Sequence, residues 1–94
     1  VASPEASASI LWRDAAKAQD AATNMKITAQ DLLKFGIIDG IVAEPVGGAH
    51  RDPDAAITSV GASVEAALKS LAPLSSDQIR SKRADKFLGI GRKL

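Results

Sequence analysis

The residues best placed to do chemistry are His50 and Arg51, within Gly47-Gly48-Ala49-His50-Arg51-Asp52-Pro53. A glycine pair can take backbone angles that other residues avoid, and it lets a ligand or a second chain come close. His50 is the only histidine of the chain. Asp52 is a good N-cap and Pro53 suits the first helical position, so a helix is expected to start there. An imidazole and a guanidinium on a shaped turn beside a helix N-terminus could meet an anion or a partner. Gly47, Gly48, His50 and Arg51 are therefore the candidate substrate- or partner-binding residues. The simpler reading is a polar loop that only turns the chain. In that reading Arg51 pairs with an acid such as Glu44, an exposed contact worth about 0–1 kcal/mol.

Other chemistries find little support. A nucleophilic triad needs a base oriented by a third group, and nothing in the sequence links His50 to one of the many serines. The acids fall mostly at helix starts and on solvated faces, which does not suggest paired-carboxylate catalysis. Neither GxxxxGK[ST] nor GxGxxG occurs. Gly89-Ile90-Gly91-Arg92-Lys93 offers two glycines and two cations, but no helix follows it, and a frayed terminus explains it better. One histidine and no cysteine make a zinc site within the chain improbable. No catalytic residue and no metal ligand is assigned.

The candidate turn must be held by its neighbours, and helix signals dominate them. Ser3-Pro4-Glu5 reads as a helix start, and that helix is expected to run to about Lys17. Its loose apolar face holds Ala8, Ile10, Leu11, Ala15 and Ala16, with Trp12 at the side. A short second helix is expected within Asp20 to Met25. Thr28-Ala29-Gln30-Asp31 resembles a capping box with Asp in place of Glu or Gln, opening a short helix that Gly36 stops. Ile37 to Ala43 has two β-branched pairs around Asp39-Gly40, which suggests a kinked strand or a turn into a strand at Ile41–Ala43.

Asp52-Pro53 opens the longest helix, to about Leu71. There Ile57, Val60, Val64, Ala67, Leu68 and Leu71 recur at helical spacing, and this face is expected to make the main core contact. Gly61 weakens that helix slightly and Pro73 ends it. Ser75-Ser76-Asp77-Gln78 caps a last helix reaching about Leu88. The expectation is four to five helices with one short β element.

Ninety-four residues make at most one domain, with a modest core. Alanine dominates the apolar residues, and the aromatics are Trp12, Phe35 and Phe87 alone. Either the helices pack closely through Ala, or part of the apolar surface is meant for another chain. No apolar run approaches a membrane span, and the start lacks the pattern of a signal peptide. The chain begins at Val1 without Met, as a segment of something longer would. The net charge of +1 is unevenly placed, since residues 77–94 carry +4 and the rest −3. A basic tail on an acidic body suits an anionic partner. Nucleic acid fits less well: the cations could reach phosphates, but Phe87 is the only aromatic among them.

Several segments, in this order, resemble one family. Ser3-Pro4-Glu5-Ala6-Ser7-Ala8-Ser9-Ile10-Leu11-Trp12-Arg13-Asp14 resembles the SPEGCASILW(R/K)D segment of the alpha subunits of bacterial acetyl-CoA carboxylase carboxyltransferases. Lys26 to Leu33, followed by Gly36-Ile37-Ile38-Asp39, is similar to their KITA-x-DL-x-x-x-G-(I/V)-ID segment. The run Glu44 to Pro53 is similar to EPLGGAHRDP, with Val46 as its single change. Residues 83–92 resemble the family's C-terminal basic helix. Ala6 and Ser7 depart from the usual Gly and Cys, and both are small.

The resemblance implies a crotonase-like α/β fold for the parent subunit, of which residues 1–94 would be the mostly helical C-terminal segment. It implies a beta-subunit partner, usually in a heterotetramer with two of each. It also implies transfer of a carboxyl group from carboxybiotin, on the biotin carboxyl carrier protein, to acetyl-CoA. Malonyl-CoA for fatty-acid synthesis is the product, made by an ATP-dependent complex in the bacterial cytoplasm. The zinc of such enzymes belongs to the beta subunit. The family's Gly-rich oxyanion segment, whose backbone N–H groups hold the developing charge, has no counterpart here. The chain alone is therefore expected to be inactive. The rival expectation is an independent helical module that binds an acidic partner or nucleic acid through the basic last helix.

Overall fold

The computed structural model describes residues 2–92. They form five α-helices and one 3₁₀ turn: α1 (Pro4–Trp12), the 3₁₀ turn (Ala15–Lys17), α2 (Ala18–Met25), α3 (Ala29–Lys34), α4 (Pro53–Leu71) and α5 (Ser76–Gly89). The chain divides into two compact units, one through Asp39 and one from Gly40 onward.

In the first unit, the Ser3 hydroxyl accepts the Ala6 N–H at 3.1 Å and starts α1 with Pro4 at its head. The helix stops at Trp12, one turn before the expected Lys17. Arg13 flips into the left-handed region (φ 54°), and its N–H closes onto the Ser9 carbonyl. Asp14 then accepts the Ala16 N–H at 3.0 Å and caps the 3₁₀ turn. A short acid that can serve as a cap competes with helix continuation, and here the cap prevails. α1 packs against α2 and the 3₁₀ turn. Ala8 and Ala21 are the buried side chains of this contact layer. Close packing through alanine, one of the two expected solutions, is thus present.

Two further joints are locally encoded. Thr28 caps α3, accepting the Asp31 N–H at 3.1 Å while its hydroxyl donates to the Asp31 carboxylate at 2.7 Å. The box is therefore closed through the hydroxyl, and no bond from the Thr28 N–H to Asp31 completes it as in the usual form. Gly36 (φ 72°) ends α3, with its N–H on the Leu33 carbonyl and the Ile37 N–H on the Leu32 carbonyl. That pair of bonds is a Schellman motif.

The second unit corrects two expectations. Residues 40–45 run without regular structure, and no strand occurs among the described residues. A strand needs a partner to take up its backbone groups, and no other extended segment here supplies one. The apolar face of α4 makes no core: none of its residues is buried, and Val64 stays 51% exposed. Helical periodicity shows which side of a helix is apolar but not what covers it. α5 begins at Ser75 with a complete capping box, Ser75 Oγ accepting the Gln78 N–H and Gln78 Oε1 accepting the Ser75 N–H. It ends at Gly89, followed by Gly91 at φ 86°.

Candidate functional site

The turn before α4 is built from two consecutive hydrogen-bonded bends. The Gly48 N–H donates to the Pro45 carbonyl at 2.9 Å, and the Arg51 N–H donates to the Gly48 carbonyl at 3.1 Å. Gly47, third in the first bend, has φ 90°, the positive value that a type II turn places there. Gly48 follows at φ 104°. Two positive angles in a row are tolerable only because neither residue carries a Cβ.

Absence of side-chain volume matters here as much as backbone freedom. A Cβ on Gly47 would stand 3.1 Å from Arg51 Cγ and 3.3 Å from its Nε. One on Gly48 would stand 2.9 Å from both Cε1 and Nδ1 of His50. Each glycine thus carries one of the two candidate side chains folded back over it, Gly47 under Arg51 and Gly48 under His50. Both side chains remain exposed, and Gly48 is half-buried. The four candidate residues therefore share one turn.

Asp52 and Pro53 do what the sequence asks of them. The Asp52 carboxylate accepts the Ala55 N–H at 3.2 Å, Pro53 occupies the first turn, and Asp54 adds an acid there. The helix N-terminus behind Arg51 is thus already met by its own carboxylates. Among the described residues no ion pair joins Arg51 to Glu44, so the turn is not stiffened in that way.

The basic α5 is a separate feature. Arg80 reaches Asp77 at 2.7 Å, and the Arg83 guanidinium lies 5.1 Å from the Phe87 ring centroid, with Lys86 at 6.0 Å. Two cations already crowd Phe87, the one aromatic of α5. Lys93, counted with this basic tail, lies outside the described residues.

Arg13 (φ 54°) and Lys26 (φ 49°) end α1 and α2 in the left-handed conformation, which no residue type in the sequence signals. Glycine or asparagine would have been the signal for such positions, and neither is present. Among the described residues no group of three His, Cys, Asp or Glu side chains could hold a metal. No helix among them is long and apolar enough to cross a membrane.

Comparison with known proteins places these features. A family model described as acetyl co-enzyme A carboxylase carboxyltransferase-like matches residues 1–91. The chain is similar to the acetyl-coenzyme A carboxylase carboxyl transferase subunit alpha of Xanthobacter autotrophicus, with 67% identity over 94 residues. The corresponding subunits of Azorhizobium caulinodans and Methylobacterium nodulans are 66% and 65% identical over the same length. Each match takes in 100% of this chain and 30% of the relative, so the chain spans about 30% of the length of these curated relatives. Matched from end to end at such identity, with its glycine turn, caps and helices in place, the chain belongs to the acetyl-CoA carboxylase carboxyltransferase family.

Proposed function

We propose that the 94 residues are the C-terminal segment of a carboxyltransferase alpha subunit and that they serve the reaction without carrying its chemistry. The reaction is transfer of a carboxyl group from carboxybiotin, borne by the biotin carboxyl carrier protein, to acetyl-CoA. Its product is malonyl-CoA for fatty-acid synthesis, within an ATP-dependent complex of the bacterial cytoplasm. The beta subunit is the obligate partner, and the parent subunit has a crotonase-like α/β core that this helical segment completes. The observation that carries the reading is the match of the whole chain to alpha subunits at 67% identity.

The segment's own residues support a binding and shaping role. Stabilising an enolate or a biotin oxyanion calls for backbone N–H donors converging on one point. The Gly47–Gly48 turn spends the Gly48 and Arg51 N–H groups on internal hydrogen bonds. What it does present outward is His50 and Arg51, held over the glycine pair, and these are the residues assigned to contact with substrate, biotin or the beta subunit. The donor set does not fit zinc, with one histidine and no cysteine. Zinc chemistry is accordingly left to the beta subunit, and no step is routed through it here.

The test is reconstitution. A full alpha subunit carrying this segment, mixed with beta subunit, carboxybiotin and acetyl-CoA, is expected to form malonyl-CoA. The 94-residue chain in its place is expected to give none above background. Failure of the full subunit with an active beta partner would overturn the carboxyltransferase reading. Turnover by the short chain at a comparable rate would overturn its assignment as a non-catalytic segment.

A further inference from the structure

Asp39-Gly40 is the one place in the chain where an aspartate or asparagine precedes glycine. That pairing carries a reaction of its own. The Asp39 carboxyl carbon can close a five-membered ring onto the main-chain nitrogen of Gly40, and glycine lacks the Cβ that hinders such an approach at other residues. Asp14 precedes alanine, Asp31 leucine and Asn24 methionine, so the hindrance is present there. Asn24 and Asp85 also lie within α2 and α5, where helical dihedrals and hydrogen bonds hold the next nitrogen in place.

The structure leaves the approach open at Gly40. Asp39 and Gly40 are both exposed, and neither belongs to a helix. A Cβ built on Gly40 would meet nothing within 4 Å, so that side of the residue is clear. Among the described residues the Gly40 N–H makes no hydrogen bond. The pair also lies where the first compact unit ends, at Asp39, and the second begins, at Gly40. Exposed backbone outside regular structure rotates at little cost, which brings carboxyl and nitrogen together. Asp39 has an interaction of its own, and an exposed side chain gives up such contacts readily.

We propose that Asp39-Gly40 is a site of spontaneous isoaspartate formation, and with it a substrate for enzymes that methylate isoaspartyl carboxylates. The Gly40 nitrogen attacks Cγ of the protonated Asp39 carboxyl. A C–N bond forms, the Cγ–OH bond breaks, and the hydroxyl leaves with the Gly40 amide proton as water. The cyclic imide then takes water back. Opening at Cγ restores aspartate. Opening at the main-chain carbonyl carbon routes the chain through Cβ and Cγ and leaves a free carboxylate on Cα. No electron is transferred, and mass and charge return to their starting values. What remains is an extra carbon in the main chain between the two units. This goes beyond the carboxyltransferase reading and does not depend on it.

The experiment ages the full alpha subunit carrying this segment at physiological pH and temperature. Isoaspartate is counted with a protein isoaspartyl methyltransferase and a labelled methyl donor, and peptide mapping by electron-transfer fragmentation places each site. Asp39 is expected to accumulate isoaspartate several-fold faster than Asp14, which is also exposed but precedes alanine. Gly40→Ala should bring Asp39 down to the Asp14 rate. Gly40 has no positive φ and has room for a Cβ, so that variant is expected to fold as the parent does. Equal rates at Asp39 and Asp14 in the parent subunit would overturn the proposal, and so would an unchanged rate at Asp39 in Gly40→Ala. Isoaspartate at Asp39 only after denaturation in urea would show that the folded subunit closes the site, and would overturn it equally.

Discussion

His50 lies folded back over Gly48, so near that a single methyl group on Gly48 would stand 2.9 Å from two atoms of the imidazole. The pose of the chain's one histidine is thus set by a missing side chain two residues earlier. It follows that the glycine can be probed as a handle on the histidine.

Gly48→Ala combines an unfavourable positive φ with displacement of the ring. The strain is expected to cost about 1–2 kcal/mol. In the reconstituted enzyme, activity should fall as far as it does for His50→Ala. Thermal unfolding and malonyl-CoA formation, measured on the same samples, check this. Lost stability with unchanged turnover would show that the ring's pose has no functional consequence.

His50→Ala and Arg51→Ala address the contact role directly. Both side chains are exposed, and exposed substitutions usually change stability by no more than about 0.5 kcal/mol. The melting temperature of the full subunit should hardly move, while turnover drops or assembly with the beta subunit weakens. Normal assembly and turnover in both variants would leave the turn a structural connector only.

Val64→Asp reports on the exposed face of α4. In the 94-residue chain the carboxylate meets water, so helix content by circular dichroism should stay the same within error. Buried against apolar surface it would be an unpaired charge, with a cost of several kcal/mol. The same change in the full subunit should therefore lower its melting temperature sharply. A collapse of helicity in the short chain would mean that α4 is already covered there.

The Thr28–Asp31 joint can be weighed by a double-mutant cycle. Thr28→Ala removes the cap of α3 and should cost about 1 kcal/mol. Asp31→Ala removes the partner of the hydroxyl, and the two losses should fall short of additivity by about 0.5 kcal/mol or more. Denaturant unfolding of the four proteins gives the coupling. Strict additivity would show that the 2.7 Å hydrogen bond adds nothing to the cap.

What the sequence made legible was local. Ser3, Thr28, Asp52 and Ser75 were readable as caps because a cap needs only its own side chain and a backbone N–H three residues on. Gly36 was readable as a stop for the same reason. The glycine pair announced a tight turn at the candidate site, but not that Arg51 and His50 would lie back over it, which depends on rotamers. Arg13 and Lys26 in left-handed conformations had no cue in residue type. The strand expected at Ile41–Ala43 and the core expected on α4 both misled for one reason. Each depends on a partner, and β-branched content or a 3.6-residue period records only readiness for one.

The alanine contact between α1 and α2 has a consequence for how this segment can vary. Ala8 and Ala21 are 0% and 1% exposed, so each already fills the space allotted to it. Close-packed interiors resist added volume, and one or two extra methylenes typically cost about 1–3 kcal/mol. Tolerance at these two positions is therefore one-sided: glycine leaves the helices where they are, while valine or leucine must push them apart. The smallest side chains of the first unit, and not its aromatics, set the distance between its helices.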